Sequence, residues 1–179
     1  MMKRGATFGA EHIEFTDRET GAAVVQLTNA PVHSHAFYFE YPSFNTTNDT
    51  VFFYSQRVGM RGAPWDLYCA DGDGKQITLL SDAEHPLSAV YPASDDSRAV
   101  YGVRGNAVIR LNIDTLEERE VARCEGVRTL SGGSMDGAGR WFATLGTKTR
   151  DDKKINTTLR IDTRSGEVAE LGEDLANAH

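Results

Sequence analysis

Apolar and polar positions along this chain alternate in short bursts, and the bursts recur. The runs VFFYS (51–55), AVYGV (99–103) and WFATL (141–145) are aromatic or β-branched and too brief for helices, so they predict strands. Each is followed by a second strand-like run closed by an Asp: DLYCAD to Asp71, IRLNID to Asp114 and TTLRID to Asp162, the closing residues standing 43 and then 48 residues apart. A period of that length is one four-stranded propeller blade.

The repeat extends in both directions. FNTTNDTVFFYSQR (44–57) superposes on YPASDDSRAVYGVR (91–104), and SGGSMDGAGRWFATLG (131–146) is a third, glycine-richer copy. Asp, Asn and Gly suit the turns because they bond nearby backbone or accept left-handed dihedrals. QITLL (76–80), REVAR (119–123) and EVAEL (167–171) supply outer strands. The expected blades span about 32–82, 85–124 and 127–172, with 173–179 opening another, all in one domain. A leading strand lies within 11–28, where Asp17…Gly21 matches Asp162…Gly166; such a strand commonly closes the last blade of a ring. The expected fold is all-β: a partial β-propeller of about three four-stranded antiparallel blades plus a leading closing strand. Three blades leave two open faces, since about four is the usual minimum for closure, so self-association through open blade edges is expected.

Composition narrows the function classes. The 179 residues are 40% hydrophobic and carry a net charge of −7, which gives no general attraction to nucleic acid or anionic lipid. No run approaches a membrane span, and the basic residues near the start lead into no apolar signal segment. Cys69 and Cys124 lack any metal or disulfide spacing and read as reduced thiols of a cytoplasmic protein.

Candidate chemistry is sparse. His33 and His35 stand at i and i+2, which on a strand places both on one face. Two imidazoles there suit a metal or an anion, but no third ligand is visible, so residues lining a wet channel are the plainer reading. Arg57 and Arg104 occupy the same place in successive repeats; brought to similar heights they would bind a carboxylate through bidentate hydrogen bonds, and otherwise they are solvated strand ends. Asp71–Gly74 is a hairpin turn rather than a calcium loop, because Lys75 and Gln76 fall where a ligand and a Gly belong. Gly132–Gly137 lacks the Lys of a phosphate loop. Trp65, Trp141 and Phe37–Phe39 read as packing between blades rather than a sugar platform.

These segments together resemble a known family. DRETGAAVVQLT, HAFYFEYPSF, VFFYSQR, PWDLYCADGDGKQITLL, IRLNIDTLEEREV and LRIDTRSGEVAEL resemble, in register across 11–179, the N-terminal part of oligogalacturonate lyase, a seven-bladed propeller of TolB-like appearance. His35, Tyr38 and Phe39, with the spacing to Phe44 and Pro64–Trp65, carry the likeness best. The resemblance implies β-elimination on pectin-derived oligogalacturonides, a carbon–oxygen lyase reaction. In the full-length family a divalent metal, manganese, neutralises the uronate carboxylate, a histidine is the base and an arginine assists. By the order of the family's motifs those groups fall after residue 179, so no catalytic or metal-ligating residue is expected in this chain and no cofactor is predicted for it. The substrate-facing candidates are His35, Tyr38, Arg57, Arg104 and His179, the last in register with a Gly-His-Pro-like strand. The expected function is that of an N-terminal fragment of such a lyase, inactive alone. The alternatives are a non-catalytic TolB-like module that binds a sugar acid or a protein, and a truncated reading frame.

Overall fold

The computed structural model describes residues 2–57 and 64–175. Among these residues there are fifteen strands and no helix, and hence no helix long and apolar enough to cross a membrane. The chain divides into two compact units, Met1–Pro86 and Leu87–His179.

The first unit holds β1 (Thr7–Phe8), β2 (Ile13–Thr16), β3 (Ala23–Gln26), β4 (Ser34–Ala36), β5 (Thr50–Ser55), β6 (Asp66–Asp71) and β7 (Ile77–Leu79). Five of them form an antiparallel sheet in the order β1-β7-β6-β5-β4. The edge strand β1 makes this sheet one strand wider than the sequence period predicts, pairing Thr7 with Thr78 and Phe8 with Ile77. Its two residues are too short to leave a periodic signal. Backbone bonds from Gly5 to Leu79 (2.8 Å) and from Leu79 to Ala6 (2.9 Å) hold it in place. The leading segment forms a separate two-stranded sheet, the hairpin β2–β3.

Strands β5 and β6 are buried along almost their whole length. One face of the sheet gathers Phe53, Tyr68, Ala70, Ile77 and Leu79 beneath Ala6 and Phe8. Phe52, wholly buried on the other face, stacks on Phe37 with ring centres 6.4 Å apart. Burial on both faces is why the run reads as continuously apolar rather than alternating.

The second unit holds β8 (Ser88–Pro92), β9 (Ala99–Arg104), β10 (Ala107–Asn112), β11 (Glu118–Arg123), β12 (Thr129–Met135), β13 (Trp141–Arg150), β14 (Lys153–Asp162) and β15 (Val168–Leu175). They make two four-stranded antiparallel sheets, β11-β10-β9-β8 and β12-β13-β14-β15. The sheets share one core, in which Tyr101, Val103, Val108 and Val121 of the first pack with Met135, Phe142, Leu159 and Ile161 of the second. Phe142, fully buried, stacks on Tyr101 at 6.3 Å. The glycine-rich run in β12 follows from this packing. A Cβ at Gly133 would collide with the tip of the Phe142 ring, and the ladder shifts register between Ser131 and Ser134. The Thr144 hydroxyl ties the bulge by donating to the Gly132 carbonyl at 2.9 Å.

The repeated turns are side-chain-capped. Asp17 Oδ1 accepts from the N–H groups of Glu19 and Thr20, and Asp162 Oδ1 from those of Arg164 and Ser165. In the second sheet the residue with this role is Asn112, which accepts from Asp114 and Thr115 at 2.9 Å. The sequence repeat points to Asp114, two residues later, because Asn and Asp are interchangeable as acceptors and an Asp draws the alignment. Four residues after Asp17 and Asp162 stand Gly21 and Gly166 with positive φ; four after Asn112 stands Leu116, at φ 60°. A left-handed Leu is strained where Gly is not. Leu116→Gly should therefore raise the unfolding free energy by about 0.5–1 kcal/mol, read as a higher urea midpoint at unchanged m-value.

Candidate functional site

The first unit carries a recess beside a histidine. β4 pairs with β5, Ser34 with Ser55, His35 with Tyr54 and Ala36 with Phe53. Ser34, His35, Ala36, Val51 and Phe53 of these strands, with Val25, Leu27 and Thr28, border a cavity of about 280 Å³. Its walls are mainly apolar; His35, Ser34 and Thr28 are the polar groups. Ser34 Oγ donates to Ser55 Oγ at 2.8 Å, and Ser55 Oγ to the His33 carbonyl at 3.1 Å. These bonds fix the backbone on either side of His35.

His35 Nδ1 lies 2.8 Å from the Ala36 carbonyl oxygen. A carbonyl only accepts, so that bond places the proton on Nδ1 and leaves Nε2 with a lone pair in the neutral ring. The ring meets Trp65 edge-on with centres 4.5 Å apart and Tyr54 at 5.7 Å. Trp65 is half exposed. An imidazole acceptor beside an accessible indole suits a polyhydroxy ligand that offers both C–H surface and hydroxyl donors.

The other site candidates are not gathered here. Tyr38 is 61% exposed and its ring lies against Phe39, centres 4.2 Å apart. No ring contact joins it to His35 among the described residues. Arg57 is buried, its side chain 4% exposed. It forms a bidentate pair with Glu11, Nη2 to Oε2 at 2.8 Å, and lies over the rings of Phe8 and Tyr68. Arg104 forms its own bidentate pair with Glu118, both bonds 2.8 Å. The two arginines do not share a register. Thr50 opposes Asp71 and Ser55 opposes Asp66, while Ala99 opposes Asn112 and Arg104 opposes Ala107. Arg104 thus stands where Ser55 stands, and Arg57 lies two residues beyond. The sequence superposition aligned them because the turns ahead of β5 and β9 differ in length. His179 lies outside the described residues.

Sequence reasoning missed Glu11, a lone carboxylate 46 residues before Arg57 with nothing in its surroundings to single it out. Its hydrogen bonds to Arg57, helped by the Asn29 and Ala30 N–H groups, bring its carboxyl down to about 2. Asp82 is another anchor. Burial alone would raise it, but the N–H groups of Arg4, His85 and Glu84 and the His85 ring bring it to about 2. Burial, then the nearby Asp82, push Asp66 up. Tyr68 is raised by burial, and its hydroxyl and Arg57 Nε are buried without a hydrogen-bond partner. Among the described residues no group of three or more His, Cys, Asp or Glu is placed to hold a metal ion. The described residues therefore do not fit a divalent cation.

Comparison with known proteins places this geometry. No protein-family model matches the chain, and no curated protein does. Solved structures do. An oligogalacturonate lyase from Vibrio parahaemolyticus superposes on 97% of this chain with a TM-score of 0.79 at 16% identity. An oligogalacturonate lyase in complex with manganese superposes on the same share at 0.78 and 20% identity. The chain covers 50% of each. A putative TolB from Agrobacterium tumefaciens matches over 90% of this chain and 60% of its own, with a TM-score of 0.60 at 15% identity. The fold is a partial β-propeller. Its sheets are blades of the type shared by the oligogalacturonate lyases and TolB, as the repeat period predicts, and the chain spans about half the length of the lyase structures it matches.

The Glu11–Arg57 pair joins the segment ahead of β2 to the residues that follow β5, which makes it a pH-sensitive tie. Its carboxyl is depressed when folded, so its contribution is complete above the ordinary value of 4.5 and is lost as pH falls toward about 2. Asp82 acts with the same sign, from an ordinary value of 3.8. Glu11→Gln should lower stability by about 1–3 kcal/mol at neutral pH. It should also flatten the acid limb of stability against pH, leaving the part due to Asp82, as followed by urea unfolding at stepped pH.

Proposed function

We propose that this chain contributes blades to a propeller of the oligogalacturonate-lyase type and that its own part in the function is to hold an acidic oligosaccharide, not to cleave it. The observation that carries this reading is the superposition of 97% of the chain on two oligogalacturonate lyases at TM-scores of 0.79 and 0.78. The local chemistry is consistent with binding. His35 Nε2 accepts a sugar hydroxyl, Trp65 offers an aromatic edge to the ring, and the cavity beside them is of a size to take part of one residue.

Turnover has further requirements. In β-elimination a base removes the proton α to a carboxylate as the glycosidic oxygen departs, and the charge that builds on the carboxylate must be neutralised. A manganese ion accompanies one of the similar lyases. This chain's described residues offer no equivalent set of ligands, and both candidate arginines are engaged by carboxylates of the chain itself. We infer that the base and the neutralising charge come from outside the described residues. Buried free thiols at Cys69 and Cys124 support a reducing compartment, the cytoplasm.

A second reading, a TolB-like module that binds without any catalytic partner, is favoured by the same lack of a ligand cluster and by the likeness to the putative TolB. One experiment separates the readings. Residues 1–179 are titrated with a short oligogalacturonide, with and without manganese, while heat and ultraviolet absorbance of an unsaturated uronate are followed. Binding without product is expected, weakened about tenfold (~1.4 kcal/mol) by His35→Ala. Steady release of unsaturated product would refute the assignment of chemistry to residues elsewhere. Failure to bind any uronide would overturn the first reading and leave only the protein-binding form of the second.

A further inference from the structure

The walls of the recess beside His35 bear on which form of a sugar acid enters it. Val25 of β3, Leu27 just after it, and Val51 and Phe53 of β5 make most of the lining. The polar groups are the hydroxyls of Thr28 and Ser34 and the imidazole, the one ionisable side chain among the described lining residues. The Ser34 hydroxyl proton is already given to Ser55. The bond from His35 Nδ1 to the Ala36 carbonyl leaves Nε2 of the neutral ring as an acceptor. A sugar hydroxyl can donate to it; a carboxylate, which only accepts, cannot.

The leading hairpin adds a charge of the wrong sign for a carboxylate. Glu14 of β2 stands directly opposite Val25 of β3, and opposed residues of an antiparallel pair project from the same face. Val25 lines the recess and is 45% exposed, so it forms the outer lip and Glu14 stands at the rim. The Glu14 side chain is 77% exposed, and its contact with the His12 ring is long, 3.9 Å. A free uronate entering here would meet a like charge at the rim. It would then shed water among Val25, Leu27, Val51 and Phe53 without gaining a countercharge, which is costly. The methyl ester of the same sugar escapes both penalties and brings a methyl group for those side chains to bury.

We propose that the recess beside His35 seats a methyl-esterified uronate unit, with a ring hydroxyl on His35 Nε2 and the ester methyl against the apolar wall. The oligosaccharide held by this chain is then a partly esterified one, acidic elsewhere along its length. This rests on the proposed role in holding an oligouronide and adds which unit the recess selects.

The test is calorimetric titration of residues 1–179 with two galacturonate trimers of equal length, one the free acid and the other its methyl ester. Low salt and about pH 8 are used, where a free imidazole is neutral. The ester should bind at least about tenfold more tightly. Glu14→Gln, at an exposed position, should raise affinity for the free acid about threefold and leave that for the ester unchanged. Glu14→Lys should narrow the preference further, an effect that added salt removes. A loss of folding would weaken both ligands together, so the ratio of the two affinities is the reading. Equal affinities, tighter binding of the acid, or a ratio that Glu14→Gln leaves unmoved would each overturn the inference while the oligouronide role stands. Binding of neither trimer would overturn that role, and the inference with it.

Discussion

Burial of sheets on both faces is the constraint on which the rest of this structure depends. A strand apolar on alternate residues needs one covering layer, but β5, β6, β9 and β10 are buried on both sides and each needs two. In the second unit one of these layers comes from stacking one four-stranded sheet on another, with Phe142 and Tyr101 at the centre. Close stacking then dictates small residues wherever a strand passes over a large side chain. Gly133 lies under the Phe142 ring, and Gly102 lies where a Cβ would come within 2.5 Å of Leu87. The glycines that look like loop signals in the sequence are packing devices inside strands.

Polar interactions do a different job, fixing the ends of elements that burial alone would let slide. Asp17, Asn112 and Asp162 each satisfy successive backbone N–H groups and so set where a hairpin turns. Glu11 does so over a longer range, binding Arg57 and the Asn29 and Ala30 backbone together. The pair lies against Phe8 and Tyr68, where lower polarity strengthens the attraction and makes an unpaired member costly. Arg57 and Arg104 therefore spend their charge within the chain. Arginine at a strand end is a poor guide to a ligand site until its carboxylate partners have been accounted for.

The candidate site follows from the same architecture. His35 is presented by a three-residue strand whose neighbours are pinned through Ser34, Ser55 and the His33 carbonyl, and its tautomer is set by Ala36. The sequence pointed to His35 through a motif resemblance and to Trp65 as packing; their edge-on contact at 4.5 Å joins the two. The partnership of residues thirty positions apart on opposite sides of a hairpin is not encoded in any local spacing. Among the described residues no group of three or more His, Cys, Asp or Glu is placed to hold a metal ion.

The sequence by itself determined the strand-rich repeat, its blade-length period, the turn positions to within two residues, and the strands β7, β11 and β15. Those features come from alternation and turn chemistry, which act over a few residues. Tertiary structure alone decided that β1 widens the first sheet, that the leading segment is a hairpin, that Asn112 rather than Asp114 caps its turn, and that Arg57 is bound to Glu11. Each of these rests on partners far apart in the chain whose residue types are common and whose pairing costs nothing to write in sequence. Only the closed distance between them selects one partner over another.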